Sequence, residues 1–223
     1  MATGRLHGIP VGLKDIIDTA KMPTQRGTSI FAGRQTEHVA RLVERLREEG
    51  AVIMGKTVTT ELAFVHENET RNPHNTDHSP GGSSSGSAAA VAAMHVPLAI
   101  GTQTNGSVIR PASFCGTFGF KPTRGVISRS GVLQTSVSID KGGYFGRSIE
   151  DVALLTDAIG GYDQNDQVRF ARPRQKMLEG AQAEALVTTE LAWLYVTFNE
   201  RLSSEAREGM EAVLDIIGAQ VKS

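Results

Sequence analysis

The sequence predicts an α/β fold, with a mixed, largely parallel central sheet flanked by helices. Two observations carry this expectation. Segments with helical periodicity alternate with short apolar runs of strand length, the pattern of a sheet covered by helices. A helix–Gly–Ala–strand unit is also spelled out as EEGAVIMG at 48–55, and DIIGAQVKS at the chain's end begins the same pattern.

Taken in order, IPVGLKDII (9–17) reads as a short strand running into a loop. TEHVARLVERLREEG (36–50) is the clearest helix. Val39, Leu42, Val43 and Leu46 fall on one face. Thr36 is placed to cap its start and Gly50 to take the left-handed position past its end. AVIMG (51–55) reads as a short buried strand, and a second helix is expected to open near Thr60. Residues 66–82 are polar and rich in turn formers, hence a loop. Ser87 to Met94 reads as helix, MHVPLAIGT (94–102) holds the next strand, and 121–147 is a long Gly-rich excursion. SIEDVALLTDAIG (148–160) is a helix with a Ser148/Asp151 capping pair and Gly160 as its stop. SSEAREGMEAVLDIIG (203–218) is the last, with Met210, Val213, Leu214 and Ile217 on one face.

Composition bounds the function. The 223 residues suffice for one large domain or two small ones, and 39% hydrophobic with 21% charged residues is ordinary for a globular protein. A net charge of -1 gives no reason to expect nucleic acid or an anionic membrane as partner. The single cysteine, Cys115, cannot form an internal disulfide. No apolar stretch approaches the roughly 20 residues of a membrane span, and MATGRLHGIPVG lacks a signal peptide's apolar core. A cytoplasmic location is expected.

The segment SPGGSSSGSAAAVAAM (79–94) carries the functional question. A flexible linker would separate domains, yet this stretch runs straight into a strong helix former. A phosphate loop would need Gly-Lys-Ser/Thr, and no lysine lies between Lys56 and Lys121. A catalytic serine needs a base. The six histidines form neither a G-x-S-x-G elbow nor an HExxH pair, and solvated loop histidines are the favoured reading over a metal site. A lysine serves instead if burial lowers its pKa, and Lys14, after the apolar IPVGL, is the candidate. A second Gly/Ser segment, GTQTNGSVIRPASFCG (101–116), could converge successive backbone N–H groups on an oxyanion.

Together these segments resemble the amidase signature family, the Ser-cis-Ser-Lys amidohydrolases. The likeness rests on HGIPVGLKD (7–15), GAVIMGKT (50–57), RNPHN (71–75), SPGGSSSGSAAAVAA (79–93), the run from Ile100 to Gly131 and RSIEDVALLTDAIGGYD (147–163). The resemblance implies Lys14 as base, Ser83 as relay held by a cis peptide, and Ser107 as nucleophile. It implies an oxyanion hole from the N–H groups of Thr104, Asn105, Gly106 and Ser107, with Ser84 bracing the site. Lys56 in the GKT segment is not the family's catalytic lysine. The activity implied is cleavage of a carboxamide C–N bond through a serine acyl-enzyme, acting on a small-molecule amide. No cofactor or metal motif is present, and the chemistry needs none. Two alternatives accompany this reading: a truncated, inactive fragment acting as an interaction domain, and an A-subunit-like glutaminase of a tRNA-dependent amidotransferase. A homodimer or an amidotransferase-type partner subunit stays open.

The sequence departs from the family's Asp-Thr-Gly-Gly-Ser at Gln103 and Asn105, has His74 where Trp is common, and Ser85 where Gly is. Gln103 loses a charge, and Asn105 adds bulk beside the nucleophile. Family members are usually about twice as long. The signature core is therefore expected at 1–166, with 167–223 a helical start of a truncated C-terminal half. An exposed apolar sheet edge or face is expected to follow.

Overall fold

The computed structural model describes residues 4–168, 173, 176–184 and 199–217. Two compact units divide the chain, one ending at Gln182 and one beginning at Ala183. The first is built on a five-stranded sheet of order β2-β1-β3-β5-β4, from β1 (Pro10–Lys14), β2 (Val52–Thr57), β3 (Leu98–Gln103), β4 (Phe118–Phe120) and β5 (Lys141–Gly146). β1 pairs parallel with β2 and β3, whereas β5 runs antiparallel to β3 and β4. Four strands thus share one direction and β5 opposes them, a mixed, mostly parallel sheet.

Period-two alternation splits the core between the two faces. Val11 and Leu13 of β1, Leu98 and Ile100 of β3 and Tyr144 of β5 pack on one side. They meet Leu42, Val43 and Leu46 of α1 (Arg41–Glu48) and Val152, Leu155 and Ile159 of α4 (Ile149–Ile159). Ala99 and Phe145 face the other side with Ala88 and Val91 of α2 (Ser85–Ala92) and Ala112 and Cys115 of α3 (Ile109–Cys115). The small residues of α2 let it sit hard against the sheet. Gly86 N–H donates to Val58 O at 2.9 Å, and a Cβ on Gly86 would lie 2.4 Å from Val58 N. α4 has the expected cap, Asp151 N–H donating to Ser148 Oγ, and ends at Gly160. In the first unit α5 (Met177–Gln182) follows; in the second, α6 (Ser204–Ile217) matches the expected last helix. The strand begun at 218–223 lies outside the described residues.

Several elements differ from expectation. α1 starts at Arg41, and Thr36 does not cap it. The amides of Ala40 and Arg41 donate instead to Asp18 O and Ser130 O, which holds the preceding segment off the helix. Gly50 does take a positive φ, of 78°. The helix expected near Thr60 is a single 3₁₀ turn, Glu61–Ala63, because Leu62 and Ala63 adopt positive φ and Leu62 N–H is drawn to Arg26 O. α2 begins at Ser85, two residues early. β2 is not buried: it forms a sheet edge, with Met54 64% exposed. The Gly-rich excursion contains β5.

Candidate active site

Lys14 ends β1, and Gly12 two residues before it would direct a Cβ at Ala99 and Val96 on the α2 side of the sheet. The ammonium-bearing chain is wholly buried, at 0% exposure. Its Nζ is hydrogen-bonded to Ser83 Oγ at 2.7 Å and to Thr102 Oγ1 at 3.0 Å. Burial lowers its pKa from 10.5 to about 7, against the opposing pull of the Asp140 charge. A buried lysine with no carboxylate in contact sheds its proton because the charged form has lost its water. Near pH 7 its nitrogen has a lone pair for a serine proton.

Ser83 lies just before α2, and the Gly82–Ser83 peptide is cis. Its carbonyl accepts from Thr60 N–H at 3.1 Å and Thr59 Oγ1 at 3.2 Å. Ser84 Oγ donates to Thr102 O and accepts from Thr102 N–H. Ser87 Oγ bonds Ile100 O at 3.1 Å and Thr57 Oγ1 at 2.7 Å. The serine-rich turn is therefore stitched to β2 and β3 by hydroxyls, which explains why so many adjoin one another. Ser83, Ser84, Ser85 and Ser87 are buried and each hydroxyl is paired, with a side chain or with the backbone, unlike those of a linker.

Ser107 is buried, in the turn between β3 and α3. Its Oγ has no hydrogen bond among the described residues, so the structure brings together Lys14 and Ser83 but does not close a bond from Ser83 to Ser107. The N–H groups of Asn105, Gly106 and Ser107 likewise donate to no acceptor among the described residues. Thr104 Oγ1 donates to Asp140 Oδ1 at 2.5 Å, and Asp140 also accepts from the N–H groups of Thr135 and Ser136.

Sequence reasoning missed two contributors and marked a third, Gln103, only as a departure from the family pattern. Thr102 is the second partner of the Lys14 amine; its place just before the TNGS turn was the only signal. Arg110 donates Nε and Nη2 to Gly82 O at 3.1 and 2.8 Å, tying the segment of Ser107 to that of Ser83. Gln103 hydrogen-bonds within its own turn. Lys56 also has a lowered pKa, about 8, caused first by burial and opposed by Asp15. Its Nζ is held by Ile17 O and Thr24 Oγ1 and touches no serine. The histidines are all exposed, and His74 Nε2 pairs with Cys115 O at 2.9 Å. Among the described residues no group of histidine, cysteine or carboxylate side chains is arranged to hold a metal, and no helix is long and apolar enough to cross a membrane.

A family model described as Amidase matches residues 1–220. The glutamyl-tRNA(Gln) amidotransferase A-subunit of Azoarcus sp. (strain BH72) is 40% identical over 222 residues, 95% of this chain and 46% of that protein. Its counterpart in Thermobifida fusca (strain YX) is 44% identical over 184 residues, covering 80% and 37%. Among solved structures, native peptide amidase from Stenotrophomonas maltophilia superposes with a TM-score of 0.72 at 41% identity, over 78% of this chain and 38% of that one. A chain from a vestigial protein complex linked to the origins of an s-triazine catabolic enzyme gives 0.91 at 34%, over 100% and 50%. The chain spans about half the length, or less, of these relatives.

Proposed function

This chain belongs to the amidase family, and from that premise we propose that it cleaves a carboxamide C–N bond through a serine acyl-enzyme. The observation that carries the reading is the 2.7 Å contact between the buried Lys14 amine and Ser83 Oγ. Neutral Lys14 takes the proton of Ser83 as Ser83 takes that of Ser107. The Ser107 oxygen bonds to the carbonyl carbon, and the oxygen left negative is met by the open N–H groups of the 104–107 turn. Collapse breaks the C–N bond, and the relay returns its proton to the departing nitrogen. Water then enters on the acyl carbon, giving its proton to the same relay, and Ser107 is released as the alcohol. No hydrogen bond holds the Ser107 side chain among the described residues. Ser84 braces the relay through both backbone groups of Thr102.

The test is labelling of the purified chain with a fluorophosphonate probe, with Ser107→Ala as control. Stoichiometric labelling at Ser107, absent in the variant, is expected. A folded chain that takes no label, or takes it elsewhere, overturns the reading.

A second reading, a glutaminase component that delivers ammonia to a partner, is favoured by one finding. The curated relatives matched over nearly all of this chain are named as the A-subunit of a glutamyl-tRNA(Gln) amidotransferase.

A further inference from the structure

We propose that Gln103 is the positioning residue of the oxyanion hole, a role that rests on the acyl-transfer reading above. The buried amide makes three hydrogen bonds, to the turn that follows it and to the first residue of α3. Its Nε2 donates to Asn105 O at 2.8 Å. Its Oε1 accepts from Val108 N–H at 2.8 Å and from Ile109 N–H at 3.0 Å. Both its nitrogen and its oxygen are engaged, and the residue is only 4% exposed.

The consequence follows from the planarity of the peptide. In a trans peptide the C=O and the next residue's N–H point in opposite directions, so holding one aims the other. Gln103 Nε2 on Asn105 O sends the Gly106 N–H the opposite way. Arg110 N–H on Gly106 O, at 2.9 Å, does the same for the Ser107 N–H. Gln103 Oε1 on the Val108 N–H fixes the next plane, that of Ser107 and Val108. Three consecutive peptide planes are thereby pinned, two of them by one side chain. The Gly106 and Ser107 N–H groups so aimed find no acceptor among the described residues. Preorganised donors of this kind act because they need not reorient as negative charge develops.

In this chain the amide supplies a donor that the aspartate usual at this place in the family lacks. A glutamate at 103, of the same length, would keep the two acceptor bonds to Val108 and Ile109. It would lose the donor and set a negative oxygen against the Asn105 carbonyl, next to where the oxyanion forms. Asn105, which stands where the family usually has glycine, takes part only through its backbone oxygen, so its side chain is free of this duty.

The experiment compares wild type, Gln103→Glu and Gln103→Ala in the full chain. Fluorophosphonate labelling rate, and kcat and KM on p-nitroacetanilide, are read together with amide exchange at Val108 and Ile109. Gln103→Glu is expected to lower kcat and the labelling rate about tenfold to a hundredfold with KM within about twofold. Its deficit relative to wild type is expected to narrow as pH falls, because a protonated carboxyl can again donate to Asn105 O. A merely structural role would not give that profile. Gln103→Ala is expected to lose exchange protection at Val108 and Ile109 while the sheet keeps its own. Equal labelling of Gln103→Glu and wild type overturns the proposal and leaves the amidase reading standing. If wild type itself takes no label, the amidase reading fails and the oxyanion-hole role falls with it. Unprotected Val108 and Ile109 in wild type overturn the assignment, and protection lost in Gln103→Ala supports it.

Discussion

Replacing Lys14 by methionine should change stability in a way that reverses with pH. Lys14 has a pKa of about 7 in the folded chain and 10.5 when unfolded. Between these values the unfolded chain binds one more proton than the folded one, so wild-type stability from this group rises with pH across that window. At pH 7 the group costs about 4 kcal/mol relative to its high-pH limit, from about 1.4 kcal/mol per pH unit. Against this stand two hydrogen bonds, to Ser83 and Thr102, each contributing about 1 kcal/mol. Methionine fills a similar volume without a charge to neutralise. Lys14→Met should therefore be more stable than wild type by about 2 kcal/mol at pH 7. That advantage should shrink by about 2 kcal/mol, to nearly nothing, by pH 9 and turn into a deficit above it. Urea unfolding of both proteins at pH 7, 8 and 9 reads the difference. A difference that stays constant across this range would mean that Lys14 keeps an ordinary lysine pKa in the fold, and the argument for a neutral base would collapse.

The same ionisation governs turnover. kcat/KM should rise with pH through about 7 as Lys14 loses its proton, measured as a pH–rate profile on p-nitroacetanilide, and a flat profile from pH 6 to 9 would remove Lys14 from the role of base. The packing of α2 gives a separate test. Gly86→Ala would place a Cβ 2.4 Å from Val58 N, a backbone atom that cannot step aside, so the gain in helix propensity is swamped. Denaturant titration should show a loss of about 2 kcal/mol or more, and an unchanged midpoint would refute so close an approach.

What the sequence made legible is what periodicity and local chemistry encode. α1 and α4 declare their faces through Leu42, Val43 and Leu46 and through Val152, Leu155 and Ile159, and all of these are buried. β5 was hidden because KGGYFG has the composition of a loop. Its glycines answer to tertiary contacts: a Cβ on Gly143 would lie 2.7 Å from Val108 Cγ2, and one on Gly146 2.7 Å from Asp151 Cβ. α3 was hidden by Pro111, which sits in the first turn, where a missing N–H forfeits no helical bond. In the site, serines and a lysine were readable as chemistry. Thr102 and Arg110 act through partners brought close by folding, and no local pattern announces that.

A register shift in the sheet decides which of two lysines can meet the serines. Both Lys14 and Lys56 stand at the C-terminal ends of adjacent parallel strands, and burial lowers the pKa of each. The pairing runs Pro10 opposite Val52 and Val11 opposite Ile53, and in a regular ladder it would continue to Lys14 opposite Lys56. It does not, because the register shifts after Val11. Gly12 faces Gly55, Leu13 faces Lys56 and Lys14 faces Thr57, which leaves Met54 as the extra residue, bulged toward solvent. The shift moves a second cation out from beside Lys14 and sets there a hydroxyl, whose Oγ1 bonds Ser87 on α2. Lys56, now level with Leu13, turns to Ile17 O and Thr24 on the other side. Because side chains alternate strictly along a strand, one residue of register separates a lysine that faces the serine turn from one that anchors a loop. A lowered pKa alone would not have distinguished them; the bulge does.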